Sequence, residues 1–206
     1  MLKRTRLFGA HQKLGARLIE FGGWEMPVQY SGILDEHRAV RTAAGLFDIS
    51  HMGQVSISGP AARDFLNRAL TNNLNQIDPG HGQYTLMCNE RGGVIDDLYA
   101  YHVGDQEYLL VINASRIEAD VKWLSQQLAT FPQSPGVHLR NVSEAFGAVA
   151  LQGPRAVEFI DACIPPATLC GATVGRASEL HKNQLAAFPA LGQTAFVART
   201  GYTGED

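Results

Sequence analysis

The chain has 206 residues, of which 45% are hydrophobic and 18% charged, and its formal net charge is −3, from 17 basic and 20 acidic side chains. This length and composition can bury a substantial core in one large domain or two small ones. The nearly balanced charge argues against nucleic acid or an anionic membrane surface as a partner, and the apolar stretches are too short to span a bilayer.

The first quarter of the chain predicts two helices. Residues 14–21 carry several apolar side chains and stop at Gly22-Gly23, which predicts a short helix. Residues 33–44 mix apolar and charged side chains and end at Gly45. This second pattern is typical of an amphipathic helix with a glycine stop.

Residues 54–139 predict seven elements in the order β-α-β-β-β-α-β. The helices open at Gly59-Pro60 and at Arg116, and the strands cover residues 54–58, 83–88, 94–103, 107–113 and 137–139. The segments 89–93 and 104–106 contain the glycines that tight turns between strands need. The order is a ferredoxin-like pattern with one added hairpin strand.

A second unit begins near residue 146, with a strand at 146–151 and a helix that opens at Gly153-Pro154. This order resembles the one at Gly59-Pro60. One interpretation is a weak internal repeat of strand, Gly-Pro and helix. The other is coincidence, because Gly-Pro is common at the start of helices.

The last part of the sequence predicts two strands, at residues 183–188 and 194–200, joined by a turn at 189–192. Residues 201–206 have the composition of a further hairpin turn, but no returning strand follows. An unpaired edge strand invites aggregation, so this pattern predicts a truncated chain.

Asp96 and Asp97 are two adjacent acids in an otherwise apolar strand. Because successive strand side chains point to opposite faces, these two acids are not expected to share a proton. The face of Asp96 also carries Val94, Leu98 and Ala100, and the face of Asp97 also carries Ile95, Tyr99 and Tyr101.

An acid flanked by two phenols suits a pocket for a flat polar ring, since the aromatic rings stack and the carboxylate meets an N–H or a developing cation. Tyr84 of the preceding strand is expected to join this face. The alternative is that both acids form local caps or ion pairs where the sheet bends near Gly92-Gly93.

Other polar clusters predict no chemistry. Asp48, Ser50 and His51 lie close together but lack a nucleophile elbow, which favours a loop with local hydrogen bonds over a hydrolase triad. The three cysteines are widely spaced, without a Cys-x-x-Cys motif, and favour buried, reduced thiols in a cytoplasm. The seven histidines form no ligand-like pair, so no metal site is expected.

Six phrases, in order along the whole chain, match one family. They are residues 21–28 (FGGWEMPV), 36–41 (EHRAVR), 45–52 (GLFDISHM), 89–98 (NERGGVIDDL), 151–154 (LQGP) and 199–206 (RTGYTGED). On these phrases the sequence resembles the folate-dependent aminomethyltransferases, the T-protein family of the glycine cleavage system.

The resemblance implies a reaction in which the aminomethyl group on the lipoyl arm of H-protein gives a one-carbon unit to tetrahydrofolate. The products are 5,10-methylenetetrahydrofolate, ammonia and dihydrolipoyl H-protein. The family's catalytic aspartate matches Asp97, which is expected to position the attacking folate nitrogen and to stabilise iminium-like charge. The implied folate-contacting residues are Met52, Tyr84, Asp97, Tyr99, Tyr101, Asn113 and Tyr202.

The rings of Tyr84 and Tyr101 are expected to supply most of the stacking surface. The partners implied by the resemblance are lipoylated H-protein and folate.

The resemblance also implies an α+β fold in which a ferredoxin-like antiparallel unit, residues 52–140, is inserted into a first α+β domain made of residues 1–51 plus 141–206. The family's C-terminal barrel and its downstream folate-binding residues are missing from this sequence. Two alternatives remain. One is a non-catalytic folate-binding protein of the kind that maintains iron–sulfur proteins, and the other is the folate domain of a related dehydrogenase or demethylase.

Overall fold

The computed structural model describes residues 1–205, so Asp206, the last residue of the C-terminal phrase, lies outside the described residues. The helices are α1 (Phe8–Lys13), α2 (Ile33–Thr42), α3 (Ala62–Ala69), α4 (Ile117–Ala129) and α5 (Ala156–Cys163). The strands are β1 (Arg17–Phe21), β2 (Trp24–Gln29), β3 (Gly45–Asp48), β4 (Gly53–Ser58), β5 (His81–Cys88), β6 (Val94–Gly104), β7 (Glu107–Ile112), β8 (His138–Asn141), β9 (Val149–Gln152), β10 (Cys170–Gly171), β11 (Leu185–Ala190) and β12 (Gln193–Ala198).

A five-stranded antiparallel sheet in the order β5-β6-β7-β4-β8 forms the centre of the fold. Helices α3 and α4 pack on one face, where Phe65, Leu66 and Leu124 are fully buried against Ile57 and Leu110 of the strands. Period-2 alternation along each strand places these apolar side chains on the helical side. The ferredoxin-like pattern with an added hairpin strand is confirmed.

A three-stranded sheet, β10-β11-β12, lies against the other face of the central sheet. Leu185 of β11 packs with Tyr101 and Val103 of β6. Backbone hydrogen bonds join the two sheets, because Gly82 N donates to Asn183 O at 2.8 Å and Leu185 N donates to Gly80 O at 2.8 Å. Both faces of β6 are therefore packed along most of its length.

The helix predicted at residues 14–21 is wrong, because most of this segment is strand β1. Strand β1 pairs with β2 through a two-residue turn in which Phe21 faces Trp24. Gly22 and Gly23 have φ of 57° and 86°. Two successive residues with positive φ are typical of the tight turn that matches strand twist, so the glycines turn a hairpin here rather than stop a helix.

Two smaller differences concern strand ends. Gly45, predicted as a helix stop, begins strand β3, which pairs with β9. Pro189, predicted in a turn, lies in β11, and the turn shortens to Leu191 and Gly192, with φ of 50° and 76°. Proline fits there because strand β10 pairs only with Ala186 and Ala187, which leaves one edge of β11 open at residue 189.

The two Gly-Pro segments share one local geometry. Gly59 and Gly153 have φ of 114° and 138°, and a Cβ atom added at either would lie about 2.4–2.5 Å from a backbone carbonyl oxygen. The residue two positions later donates its N–H to that same oxygen, from Ala61 to Gly136 and from Arg155 to Ala43. Each glycine thus lets the chain pass close to another segment immediately before a helix begins.

The cysteines differ from the prediction of buried thiols. Cys163 and Cys170 are exposed and Cys88 is partly buried, and all three are free. Cys163 ends α5 and Cys170 lies in a two-residue strand, so neither position is covered by a second layer. Within residues 1–205, the structure has no helix that is both long enough and apolar enough to cross a membrane.

Strand β3 comes before the central sheet in the chain and β9 comes after it. The two strands pair with each other, with Gly45 opposite Gln152 and Asp48 opposite Val149. The division into a first domain of residues 1–51 plus 141–206 and an inserted domain of residues 52–140 stays a prediction.

Replacing Gly153 by alanine is expected to lower the free energy of unfolding by roughly 1–3 kcal/mol, because the new Cβ would meet Ala43 O in a backbone conformation that side chains rarely adopt. Urea unfolding of the 206-residue chain measures the change. Gly147→Ala is the matched control, since its Cβ would lie 3.8 Å from the nearest atom. Equal losses in the two variants would contradict the close-approach argument.

Candidate functional site

Asp97 lies exposed on β6, while the neighbouring Asp96 is buried at 7% exposure. The prediction that the side chains of Asp96 and Asp97 point to opposite faces of the strand is therefore correct. Leu98 and Ala100 share the buried side with Asp96 and belong to the main core. Neither acid takes part in the ion pairs formed among the described residues.

Ile95 departs from the predicted face. The register between β5 and β6 shifts at Met87 and Cys88, because Met87 faces Asp96 while Cys88 faces Val94. This bulge turns Ile95 toward the main core and leaves Val94 at 60% exposure. An extra residue in one strand changes which side the following side chain occupies, and the regular alternation could not reveal it.

Asn113 follows β7 and holds both acids. Its Nδ2 donates to Asp96 Oδ1 at 3.0 Å and to the backbone oxygen of Asp97 at 3.0 Å, and it reaches Asp97 Oδ1 at 3.4 Å. Its backbone N–H donates to Asp96 Oδ2 at 3.2 Å. Asn113 thus fixes the Asp96 carboxylate and the backbone of Asp97, while the Asp97 side chain stays exposed.

Tyr84 of β5 approaches Asp97 from the opposite direction. It faces Tyr99 across the strand pair and is 53% exposed. A hydrogen bond to the Asp97 carboxylate, followed by partial burial and the negative charge of Asp97, raises the pKa of the Tyr84 phenol. Tyr202 and Asp96 add smaller effects of the same sign.

The rings of Tyr99 and Tyr101 stack, with centroids 4.8 Å apart and planes inclined by 29°. Gly82 faces Tyr101, and a Cβ there would lie 2.4 Å from Tyr101 Cδ1 and 2.9 Å from Tyr99 Cε1. The missing side chain at residue 82 therefore makes room for both rings.

Both phenols bond to the C-terminal segment. Tyr99 donates to Asn183 Oδ1 at 2.6 Å, and the Tyr101 hydroxyl shares a hydrogen bond of 2.5 Å with Thr200 Oγ1. Burial raises the pKa of both phenols, which keeps them neutral. Tyr101 is only 5% exposed, so most of its ring packs against protein and Tyr84 offers the open ring.

Met52 and Tyr202 complete the predicted set. Met52 immediately precedes β4, whose Gly53 faces Ile112, so Met52 lies beside Asn113 at the same end of the sheet. Tyr202 is 94% exposed. Its backbone N–H donates to Gln152 Oε1 at 2.9 Å, and Thr203 donates to the same oxygen from both its N–H and its hydroxyl.

Three residues of this arrangement were not found from the sequence: Asn183, Thr200 and Gln152. Each bonds to a residue at least 50 positions away, so no local pattern could indicate it. The cluster at residues 48–51 forms no triad, because Ser50 Oγ donates to Ala148 O and Asp48 accepts from Thr5 and His11. Across the described range 1–205, no three His, Cys, Asp or Glu side chains come together as metal ligands.

One known protein family matches nearly the whole chain. Residues 7–206 match the family described as the GCVT N-terminal domain. The chain belongs to this family. The resemblance read from the six phrases is confirmed at this level.

Similar curated proteins carry the name aminomethyltransferase. The protein of Desulforamulus reducens is 46% identical over 209 residues, covering 99% of this chain and 52% of its own length. The protein of Bacillus pumilus is 47% identical over 207 residues, covering 100% of this chain and 53% of its own length. The chain therefore spans about half the length of the curated relatives that it matches.

Solved structures give the same picture. The crystal structure of glycine cleavage system aminomethyltransferase T from Bartonella henselae aligns with a TM-score of 0.86 at 34% identity, over 100% of this chain and 52% of the other. A heterotetrameric sarcosine oxidase from Corynebacterium sp. U-96 aligns with a TM-score of 0.54 at 16% identity, over 82% of this chain and 77% of the other, which shows a shared fold alone. The predicted α+β fold class is confirmed.

Replacing Asp97 by asparagine is expected to lower the pKa of the Tyr84 phenol, because the charge and the hydrogen bond that favour the neutral phenol are lost. Alkaline titration of the tyrosine Cζ resonance by carbon-13 NMR measures it. Asp105→Asn, an exposed acid in the turn after β6, is the control. A Tyr84 midpoint that stays unchanged in the Asp97 variant would contradict the contact.

Proposed function

We propose that this chain supplies the folate-binding and catalytic aspartate part of an aminomethyltransferase of glycine cleavage. The reaction moves a one-carbon unit from aminomethyl-lipoyl H-protein to tetrahydrofolate and releases ammonia. The family membership and the names of relatives at 46–47% identity support this proposal. Lipoylated H-protein and folate are the partners that it requires.

The observation that carries the proposal is the state of the Asp97 carboxylate. It is exposed, lies outside the described ion pairs, has Asn113 Nδ2 3.4 Å from its Oδ1, and raises the pKa of the neighbouring Tyr84 phenol. Neutral donors beside a carboxylate limit the positions that it can take. It can therefore accept a hydrogen bond from a reacting nitrogen or stabilise a cation that forms beside it.

In the proposed reaction Asp97 orients the folate nitrogen that attacks the transferred carbon. The bond from this carbon to the lipoyl sulfur breaks, and the sulfur takes the proton that the nitrogen loses. As ammonia leaves, the carbon acquires cationic, iminium-like character, and the fixed negative charge of Asp97 stabilises it. Because Asn113 already fixes the backbone of Asp97, little rearrangement is needed when that charge develops.

The residues present fit a reduced pterin ring. Tyr84 offers an exposed aromatic face, Asp97 offers an acceptor for ring N–H groups, and Met52 lies beside Asn113 at the same sheet end. We propose these four residues as folate contacts, together with Tyr99, Tyr101 and Tyr202. Tyr101 acts mainly by packing Tyr99 in place, since its own ring is buried. The cytoplasmic location predicted from the reduced thiols belongs to the same proposal.

Asp97→Asn is expected to lower turnover by roughly 10²–10³-fold, the usual effect of removing one group that stabilises transition-state charge. The assay uses residues 1–206 fused to the remaining half of the Desulforamulus reducens aminomethyltransferase, and it follows ammonia release from aminomethyl-lipoyl H-protein. Asp105→Asn is the control. Full H-protein-dependent turnover in the Asp97 variant would refute the assigned role.

Tyr84→Ala is expected to weaken tetrahydrofolate binding by roughly 2–10-fold through the loss of ring stacking. Tyr84→Phe keeps the ring and should bind more tightly than the alanine variant. Isothermal calorimetry on the fusion protein measures both. If both variants bind as the unsubstituted fusion does, Tyr84 is not part of the folate pocket.

A further inference from the structure

Asp120 of α4 is a carboxylic acid buried beneath the central sheet. Its side chain has 0% exposure, and neither carboxylate oxygen accepts a hydrogen bond from an N–H or O–H group among residues 1–205. A buried carboxylate without donors is costly in its charged form. Another feature of the structure must therefore offset the cost of burying the Asp120 side chain.

Asp96, the inward-facing acid of β6, is likewise buried and is the acid whose hydrogen bond and charge act on Asp120. Two carboxylates form a hydrogen bond only when one of them carries a proton, which accounts for the missing donor at Asp120. Burial, followed by the hydrogen bond to Asp96 and the charge of Asp96, raises the pKa of Asp120 to about 8. Asp120 therefore keeps its proton at neutral pH.

We propose that Asp96 and Asp120 share one proton beneath the sheet, and that this pair positions Asn113 and, through Asn113, the backbone of Asp97 that carries the outward-facing carboxylate. The pair itself stands on the buried geometry. Its consequence for turnover rests on the proposed function.

The hydrogen bonds form a continuous path. Protonated Asp120 donates to Asp96, and the Asp96 carboxylate accepts the backbone N–H and the side-chain Nδ2 of Asn113, one at each oxygen. The second Nδ2 proton is then directed to the backbone oxygen of Asp97, with Asp97 Oδ1 at 3.4 Å. Asp120 acts through these groups and touches no reacting atom, so it is a positioning residue.

The charged groups around the pair decide its pH range. Asp96 faces Asp120 from β6 and raises its pKa, and Arg116, at the start of α4, lowers it by a smaller amount. Asp97 lies on the far side of β6. Helix α3 packs beside α4, and its Arg68 bonds to Thr130 at the opposite end of α4.

Between about pH 4 and pH 8 the folded chain keeps a proton on Asp120 that the unfolded chain has lost. The free energy of unfolding therefore falls as pH rises toward 8.

Carbon-13 NMR of the aspartate carboxyl groups in the 206-residue chain tests the pair. We expect one carboxyl to titrate with a midpoint near pH 8 and this titration to be absent in Asp120→Asn. Glu118→Gln removes an exposed acid from the same helix and should leave the midpoint in place. Asp96→Asn should lower the midpoint, because the proton-sharing partner is gone. A folded chain in which every aspartate titrates below about pH 6 would overturn the inference.

The positioning step has its own readout. The side-chain amide resonances of Asn113 should shift with the same midpoint as Asp120 in the unsubstituted chain and stay constant with pH in Asp120→Asn. Constant Asn113 resonances across the Asp120 titration would overturn this step.

Turnover of the fusion protein distinguishes the two proposals. We expect its rate to fall about tenfold per pH unit above pH 8, and this fall to be absent in Asp120→Asn, whose amide keeps a permanent donor for Asp96. A loss in Asp120→Asn that is the same at every pH would indicate a purely structural residue and would overturn the inference. A fusion without turnover at any pH, combined with the NMR midpoint near 8, would refute the transferase proposal and leave the proton pair standing.

Discussion

The side chain of Asn113 is the constraint on which the candidate site depends, because it bonds to two adjacent acidic residues whose side chains strand geometry separates. Alternation along β6 sends Asp96 inward and Asp97 outward, and an amide at the end of the neighbouring strand reaches both. Two donors on one nitrogen suit this task, since a hydroxyl would have only one proton to give. The position of the exposed Asp97 therefore depends on the core beneath it, where side chains have little freedom to move.

The second support of the site comes from a distant part of the chain. Asn183 and Thr200 bond to the hydroxyls of Tyr99 and Tyr101, and Gln152 binds the turn that carries Tyr202. The hydrogen bonds between β5 and the loop before β11 bring these segments together. The hydroxyls of Tyr99 and Tyr101 thus depend on the C-terminal segment for their hydrogen bonds, whereas the acidic side belongs to the central sheet alone.

Local sequence patterns predicted the central sheet well, because alternation, glycine turns and amphipathic spacing all act between near neighbours in the chain. The family resemblance pointed to Asp97 and Asn113 as site residues, and their roles stay a prediction. The failures have physical causes: the bulge at Met87 that turns Ile95 inward, and the positive-φ glycines that make β1 part of a hairpin. Alternation correctly excluded proton sharing between Asp96 and Asp97, but the contact of Asp96 with Asp120 crosses from a strand to a helix and leaves no local signature.

The buried acid on α4 also alters the chain's interaction with its surroundings. The formal net charge of −3 counts every aspartate as ionised. With Asp120 protonated at neutral pH, as a pKa of about 8 requires, the charge becomes −3 + 1 = −2. Electrophoretic mobility at pH 7 should therefore be smaller than the residue count implies, and the isoelectric point should lie above the value of about 6.1 that the composition gives.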